Sequence, residues 1–178
     1  VTCTYDENCT LTENTLTRKG YTFSGWEFNG NSYDDKATVK NLTAEPNGTV
    51  TLHAKWTPNK FTITFHGNSN NSGSMSPITC TYDQDCILPT STYGKTGYVF
   101  YAWALTSDGA DKYQANQNIK NESEGEPIDL YVKWGKIKYT IEFLGNGESS
   151  GTTDSVLCEY DTDCKLTKNG FYKRGYTF

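Results

Sequence analysis

The chain predicts a β-rich array of small tandem beads, each with four short strands, little helix and one disulfide hairpin. The motif Gly-Tyr-x-Phe recurs at Gly20-Tyr21-Thr22-Phe23, Gly97-Tyr98-Val99-Phe100 and Gly175-Tyr176-Thr177-Phe178, with successive copies 77 and 78 residues apart. A Cys-x5-Cys pair precedes each copy: Cys3/Cys9, Cys80/Cys86 and Cys158/Cys164. Between these landmarks lie runs that alternate apolar and polar, the pattern of a half-buried strand. Self-similarity at a fixed period marks a repeat architecture, in which one module recurs and no single active site need exist.

The first strand of the complete bead is Phe61-Thr62-Ile63-Thr64-Phe65, matched 78 residues on by Tyr139-Thr140-Ile141-Glu142-Phe143. A Gly/Asn/Ser loop follows, Gly67 to Ser74, and then the disulfide turn Cys80-Thr81-Tyr82-Asp83-Gln84-Asp85-Cys86. In the next strand Tyr98, Phe100 and Ala102 share one face, and Val99 and Tyr101 the other. The closing strand places Ile128, Leu130, Val132 and Trp134 together, as Val50, Leu52, Ala54 and Trp56 do in the first bead. Val39-Lys40-Asn41 matches Ile119-Lys120-Asn121 at 80, so short insertions fall between landmarks. The expected organisation is a partial repeat over 1–56, a complete repeat over 60–134 and a partial repeat over 138–178, a window onto a longer array. The alternative, strand donation between chains, fits less well, because the two partial pieces together exceed one bead.

Composition supports this. Only 35% of residues are hydrophobic, yet 14% are aromatic, so each bead has few core residues but large ones. Beads of some 75 residues make marginal cores that benefit from staples. Zinc sites use closer Cys pairs with further ligands, and the chain's two His, His53 and His66, hold non-equivalent places. The six cysteines are therefore read as three intra-hairpin disulfides, which implies export to an oxidising compartment. No apolar run approaches the ~20 residues that span a bilayer. The net charge of −5 has both signs interspersed, with none of the basic face that nucleic acid requires.

The segments Tyr-Thr-Ile-x-Phe-x-Gly-Asn, Cys-Thr-Tyr-Asp, Gly-Tyr-Thr-Phe-x-Gly-Trp and Thr-Leu-x-Ala-Lys-Trp resemble the Listeria–Bacteroides repeat, the internalin B-repeat-like family, over essentially the whole chain. The resemblance implies an α+β, β-grasp-like bead found in tandem on large bacterial surface proteins, with no catalytic residues to carry over. The paired cysteines depart from the family pattern, as does Ala102-Trp103 where Gly-Trp is typical.

Trp26, Trp56, Trp103 and Trp134 fall on alternating strands and are expected to fill cores, with Trp103 and Trp134 largely buried beside Tyr98, Phe100, Leu130, Ile63 and Phe65. Tyr5, Tyr82 and Tyr160 at the turn tips are better candidates for contact than the tryptophans, with packing over their own hairpins an alternative of at least equal weight. The acidic tips Asp6-Glu7, Asp83/Asp85 and Asp161/Asp163 offer too few oxygens for calcium, and turn chemistry accounts for them, so no metal or cofactor is expected. Asn8, Asn41, Asn47, Asn70 and Asn121 open Asn-x-Ser/Thr sequons, candidate glycosylation sites of which several are expected by chance in an Asn- and Thr-rich chain. No nucleophile in a strained turn, recurring His or phosphate-binding loop argues for an enzyme. The expected function is a structural segment of an exported stalk or filament, its beads acting as spacers. Short linkers, Thr57-Pro58-Asn59 and Gly135-Lys136-Ile137, would restrict bead orientation and give a rod, each bead about 30–40 Å long. The rival is an adhesin whose beads bind a host protein or glycan with avidity from repetition. Partners are then neighbouring repeats or self-association in a fibrous assembly at the bacterial surface.

Overall fold

A computed structural model describes residues 1–178, and it contains strands and no helix. The first repeat contributes β1 (Cys9–Thr10), β2 (Tyr21–Phe28), β3 (Asn31–Tyr33), β4 (Thr38–Val39) and β5 (His53–Pro58). The second contributes β6 (Lys60–His66), β7 (Ile78–Thr81), β8 (Cys86–Ile87), β9 (Tyr98–Ala104), β10 (Asp111–Tyr113), β11 (Asn118–Ile119) and β12 (Ile128–Lys136). Two more follow, β13 (Lys138–Ile141) and β14 (Val156–Glu159). The complete repeat thus has seven strands where four are legible in the sequence. The additions β8, β10 and β11 are two or three residues long, too short to show a period.

The chain forms two compact units that take segments alternately. One holds 1–64, 77–88 and 118–128, and the other holds 65–76, 89–117 and 129–178. In the first unit β2 is central to a sheet of order β3-β2-β5. A bulge between Phe23 and Gly25 changes the register, from Phe23 opposite Trp56 to Gly25 opposite Lys55. Gly25 adopts φ +118, and a Cβ there would meet the Tyr33 carbonyl oxygen at 2.6 Å. That explains the Gly before Trp26. A small core gathers Cys9, Leu11 and Val39 with the half-buried Trp26, Tyr33 and Leu52. The same unit holds the β6–β7 ladder, with Phe61 opposite Cys80 and Ile63 opposite Ile78. It also holds the β8–β11 ladder, with Ile119 opposite Cys86.

In the second unit β9 lies between β10 and β12, with Trp103 opposite Tyr113 on one side and Val132 on the other. The register shifts again at the corresponding place, between Lys133 and Trp134, so Tyr101 is the extra residue, as Ser24 is in the first repeat. Beyond the bulge three consecutive residues, Ala102, Trp103 and Ala104, are fully buried. A bulge leaves one residue unpaired and re-aims those after it, which brings the Trp103 ring against Phe100 at 5.0 Å. Ala102 is absent from the residues with positive φ, so the repeat that lacks Gly before its Trp makes the bend with ordinary backbone. Val99 and Tyr101 face outward at 52% and 57% exposure, as the alternation predicts.

Candidate functional site: the disulfide turns

Each Cys-x5-Cys segment closes on itself. Cys3–Cys9, Cys80–Cys86 and Cys158–Cys164 are bridged, with Cα–Cα distances of 5.5, 5.7 and 5.5 Å, and no cysteine is free. The turn differs from the expected hairpin in one respect. Its two arms do not pair with each other: β7 pairs with β6, and β8 pairs with β11. The Cys80–Cys86 bridge therefore ties two ladders together, because each arm has a longer-range partner that claims its backbone groups.

The tip is held by a residue that local sequence reading assigns elsewhere. Asp83 has φ +61, a left-handed conformation that Asp and Asn tolerate better than most residues. Its N–H donates to Asn121 Oδ1 at 2.6 Å, and Asn121 Nδ2 donates back to Asp83 Oδ1 at 2.8 Å. The first repeat repeats the clamp atom for atom: Asp6 N–H to Asn41 Oδ1 at 2.6 Å, and Asn41 Nδ2 to Asp6 Oδ1 at 2.9 Å. Lys40 adds an exposed ion pair to Asp6 at 3.5 Å. Asn41 and Asn121, read above as glycosylation sequons, have their amides committed to turn carboxylates. Asn70 is likewise engaged, donating to the Ser72 carbonyl at 2.9 Å. Asn8 and Asn47 are exposed. The signal for the clamp was the recurrence of Val/Ile-Lys-Asn 80 residues apart.

Asp83 has a second partner, the Tyr21 hydroxyl, which donates to Oδ2 at 2.6 Å. Hydrogen bonds from Tyr21 and then Asn121 hold the Asp83 carboxyl below its ordinary 3.8, and the bond to Asp83 is the main cause raising Tyr21 above 10.0. Tyr98 is raised as well, first by partial withdrawal from water and then by the Asp161 carboxylate, 3.5 Å from its hydroxyl. The signs fix a window. The depressed Asp83 contributes above pH 3.8 and loses that contribution as pH falls through its lowered value. The raised Tyr21 contributes below pH 10.0 and loses it as pH rises through its raised value. In Asp83→Asn, Tyr21 should titrate closer to 10.0 by ultraviolet difference spectroscopy or NMR. An unchanged Tyr21 titration would show that the carboxylate is not its partner.

The tryptophans divide. Trp103 is fully buried, and its Nε1 donates to the Pro89 carbonyl at 3.1 Å. Trp134, expected to be largely buried, is only half-buried; it sits at the bulge, with Nε1 donating to the carbonyls of Gly67 (3.0 Å) and Asn68 (2.9 Å). Tyr98 and Phe100 are half-buried as well, whereas Leu130, Ile63 and Phe65 are buried as expected. Trp26 and Trp56 are half-buried, and Trp26 Nε1 has no hydrogen-bond partner. The first repeat has no strand matching β6, and clefts of about 690 and 200 Å³ adjoin its core. Of the turn-tip tyrosines, Tyr5 and Tyr160 are exposed, whereas Tyr82 is buried. No group of three or more His, Cys, Asp or Glu side chains gathers to hold a metal. His66 stacks on Tyr131 at 4.5 Å and meets Asp129 at 2.7 Å, an exposed cluster specific to the second repeat.

A disulfide-closed turn, a bulged Gly-Tyr-x-Phe strand and a closing Lys-Trp strand, all recurring in register, define a tandem β repeat. The chain belongs to the Listeria-Bacteroides repeat domain family, whose model matches residues 1–55 and 61–131, and it is a Cys-paired variant. It is 34% identical over 155 residues, 83% of its length, to a protein of Evansella cellulosilytica named "Putative Gly-rich membrane protein". It is 29% identical over 124 residues, 66% of its length, to a "Putative membrane protein" of the same organism. The chain spans 17% of each of these relatives. No solved structure matches it.

Proposed function

We propose that these repeats are a non-catalytic spacer segment of an exported bacterial cell-surface protein. The observation that carries the reading is the linker. A single residue separates β5 from β6, and another separates β12 from β13, and each has both backbone groups engaged. Asn59 N–H donates to the Gly20 carbonyl at 2.9 Å, and its carbonyl accepts from Tyr82 N–H at 2.8 Å. Ile137 does the same with Gly97 at 3.0 Å and Tyr160 at 2.9 Å. At that one residue the chain changes ladder partner from one repeat to the next. Fixed junctions suit a part that transmits length and orientation. Membership of a repeat family and relatives named as membrane proteins support a place in the cell envelope, with neighbouring repeats or further copies as partners.

Adhesion is the second reading, favoured by the outward Val99 and Tyr101 and by the His66–Tyr131 stack. That face does not recur: the matching positions in the first repeat are Thr22, Ser24 and His53. Avidity by repetition needs a recurring contact, so the spacer reading is preferred. The 178-residue chain should give no reproducible binding on a glycan array or to immobilised extracellular-matrix proteins. Binding of millimolar strength or better that disappears in Tyr101→Ser would replace the spacer with the adhesin.

A further inference from the structure

The glycine of Gly-Tyr-x-Phe sits at φ +73, +79 and +79 in its three copies. Backbone conformation alone does not require glycine there, because the chain elsewhere fills left-handed positions with Asn or Asp, as at Asn41, Asp83 and Asn121. The second requirement comes from the next repeat. A Cβ on Gly20 would collide with the ring of Tyr82, and a Cβ on Gly97 with the ring of Tyr160. Each ring meets the following tyrosine of the motif edge-on: Tyr82 with Tyr21 at 5.7 Å and 73°, Tyr160 with Tyr98 at 5.8 Å and 71°. Edge-to-face pairs at such separations are attractive beyond the area they bury.

The surroundings of the two joints differ, which isolates what they share. At the first, Thr22 donates to Asn59 Oδ1 at 2.7 Å, and Asn59 Nδ2 to the Glu124 carbonyl at 2.5 Å. At the second, Lys136 Nζ donates to the Asp161 carbonyl at 2.9 Å and to Thr162 Oγ1 at 2.7 Å. Common to both are the glycine, the tyrosine pair, the Asp beside the motif tyrosine and the two-sided backbone bonds of Asn59 and Ile137. Tyr82 is 8% exposed and Tyr160 41%.

We propose that the Cys-x-Tyr-Asp turn of each repeat is a plug, and the Gly-Tyr end of the preceding repeat its socket. Together they form an interaction surface whose partner is a neighbouring repeat of the same kind. The disulfide and the Asn clamp hold the tip in shape, and glycine leaves room for the incoming ring. The surface selects its partner: a repeat with any side chain in place of that glycine cannot seat the tyrosine. The joint is independent of whether the array serves as spacer or adhesin.

Amide hydrogen exchange on the whole chain tests this, read at Ile137, whose N–H is held by the Gly97 carbonyl. Tyr160→Ala removes the plug. Gly97→Asn fills the socket with a residue that tolerates the backbone conformation. Both should speed exchange at Ile137 by roughly tenfold or more while the β9–β12 ladder keeps its protection, since local openings report local contacts. Tyr160→Phe, which keeps the ring, should leave Ile137 protected, and Tyr82→Ala should act on Asn59 as Tyr160→Ala acts on Ile137. Unchanged exchange at Ile137 in Tyr160→Ala would overturn the proposal. So would equal loss of protection across β9–β12, which would make Tyr160 a support of the second repeat's fold.

Discussion

Replacing Trp103 with alanine should cost about 3–5 kcal/mol, the range for removing a fully buried aromatic ring. Small domains are stable by only about 5–15 kcal/mol in total, so a large share of the second repeat's stability should go with it. The ring has 0% exposure and packs against Phe65 at 4.9 Å and Phe100 at 5.0 Å. Its Nε1 donor also satisfies the Pro89 carbonyl, which alanine would leave without that partner. Trp26→Ala removes the equivalent residue of the first repeat, where the ring is half-buried and its Nε1 has no partner. Denaturant unfolding should therefore show a markedly smaller loss for Trp26→Ala. If the two variants lose stability equally, or Trp103→Ala is mild, the inward face of β9 has been assigned wrongly.

That comparison marks where sequence reading succeeds and where it stops. The period of the array was legible because landmarks such as Gly-Tyr-x-Phe and Cys-x5-Cys survive insertions between them. The long strands were legible because Phe61, Ile63 and Phe65 alternate with threonines. What a two-residue period could not show is the bulge at Ser24 and Tyr101, which inserts one residue and brings Trp103 against Phe100 at 5.0 Å. A strict alternation would have put Trp103 on the side opposite Phe100. Trp134 was overrated for a related reason: alternation gives a face, and burial also depends on where in the strand the residue stands. The clamp was not legible at Asn41 and Asn121 because a three-residue sequon is a local pattern, while their partners, Asp6 and Asp83, lie 35 and 38 residues away. The cover over Tyr82 was not legible because it comes from Gly20 and Tyr21 of the preceding repeat and not from its own hairpin.

Replacing Cys80 and Cys86 together with serine should cost about 2–2.5 kcal/mol, the chain-entropy value for so short a closed loop. Titration of the unreduced, denatured wild-type protein should correspondingly find no free thiol. The architecture adds a condition that loop length alone does not contain. Because β7 and β8 pair with different strands, the turn has no ladder of its own, and the bridge and the Asp83–Asn121 clamp are two of the contacts that fix its shape. Two constraints on one turn are partly redundant, since each limits the freedom the other would remove. Asn121→Ala should accordingly be mild when the bridge is present and clearly more costly in the Cys80/Cys86→Ser background, a coupling that a double-mutant cycle of melting curves measures. Strict additivity would mean that bridge and clamp constrain the turn independently of each other.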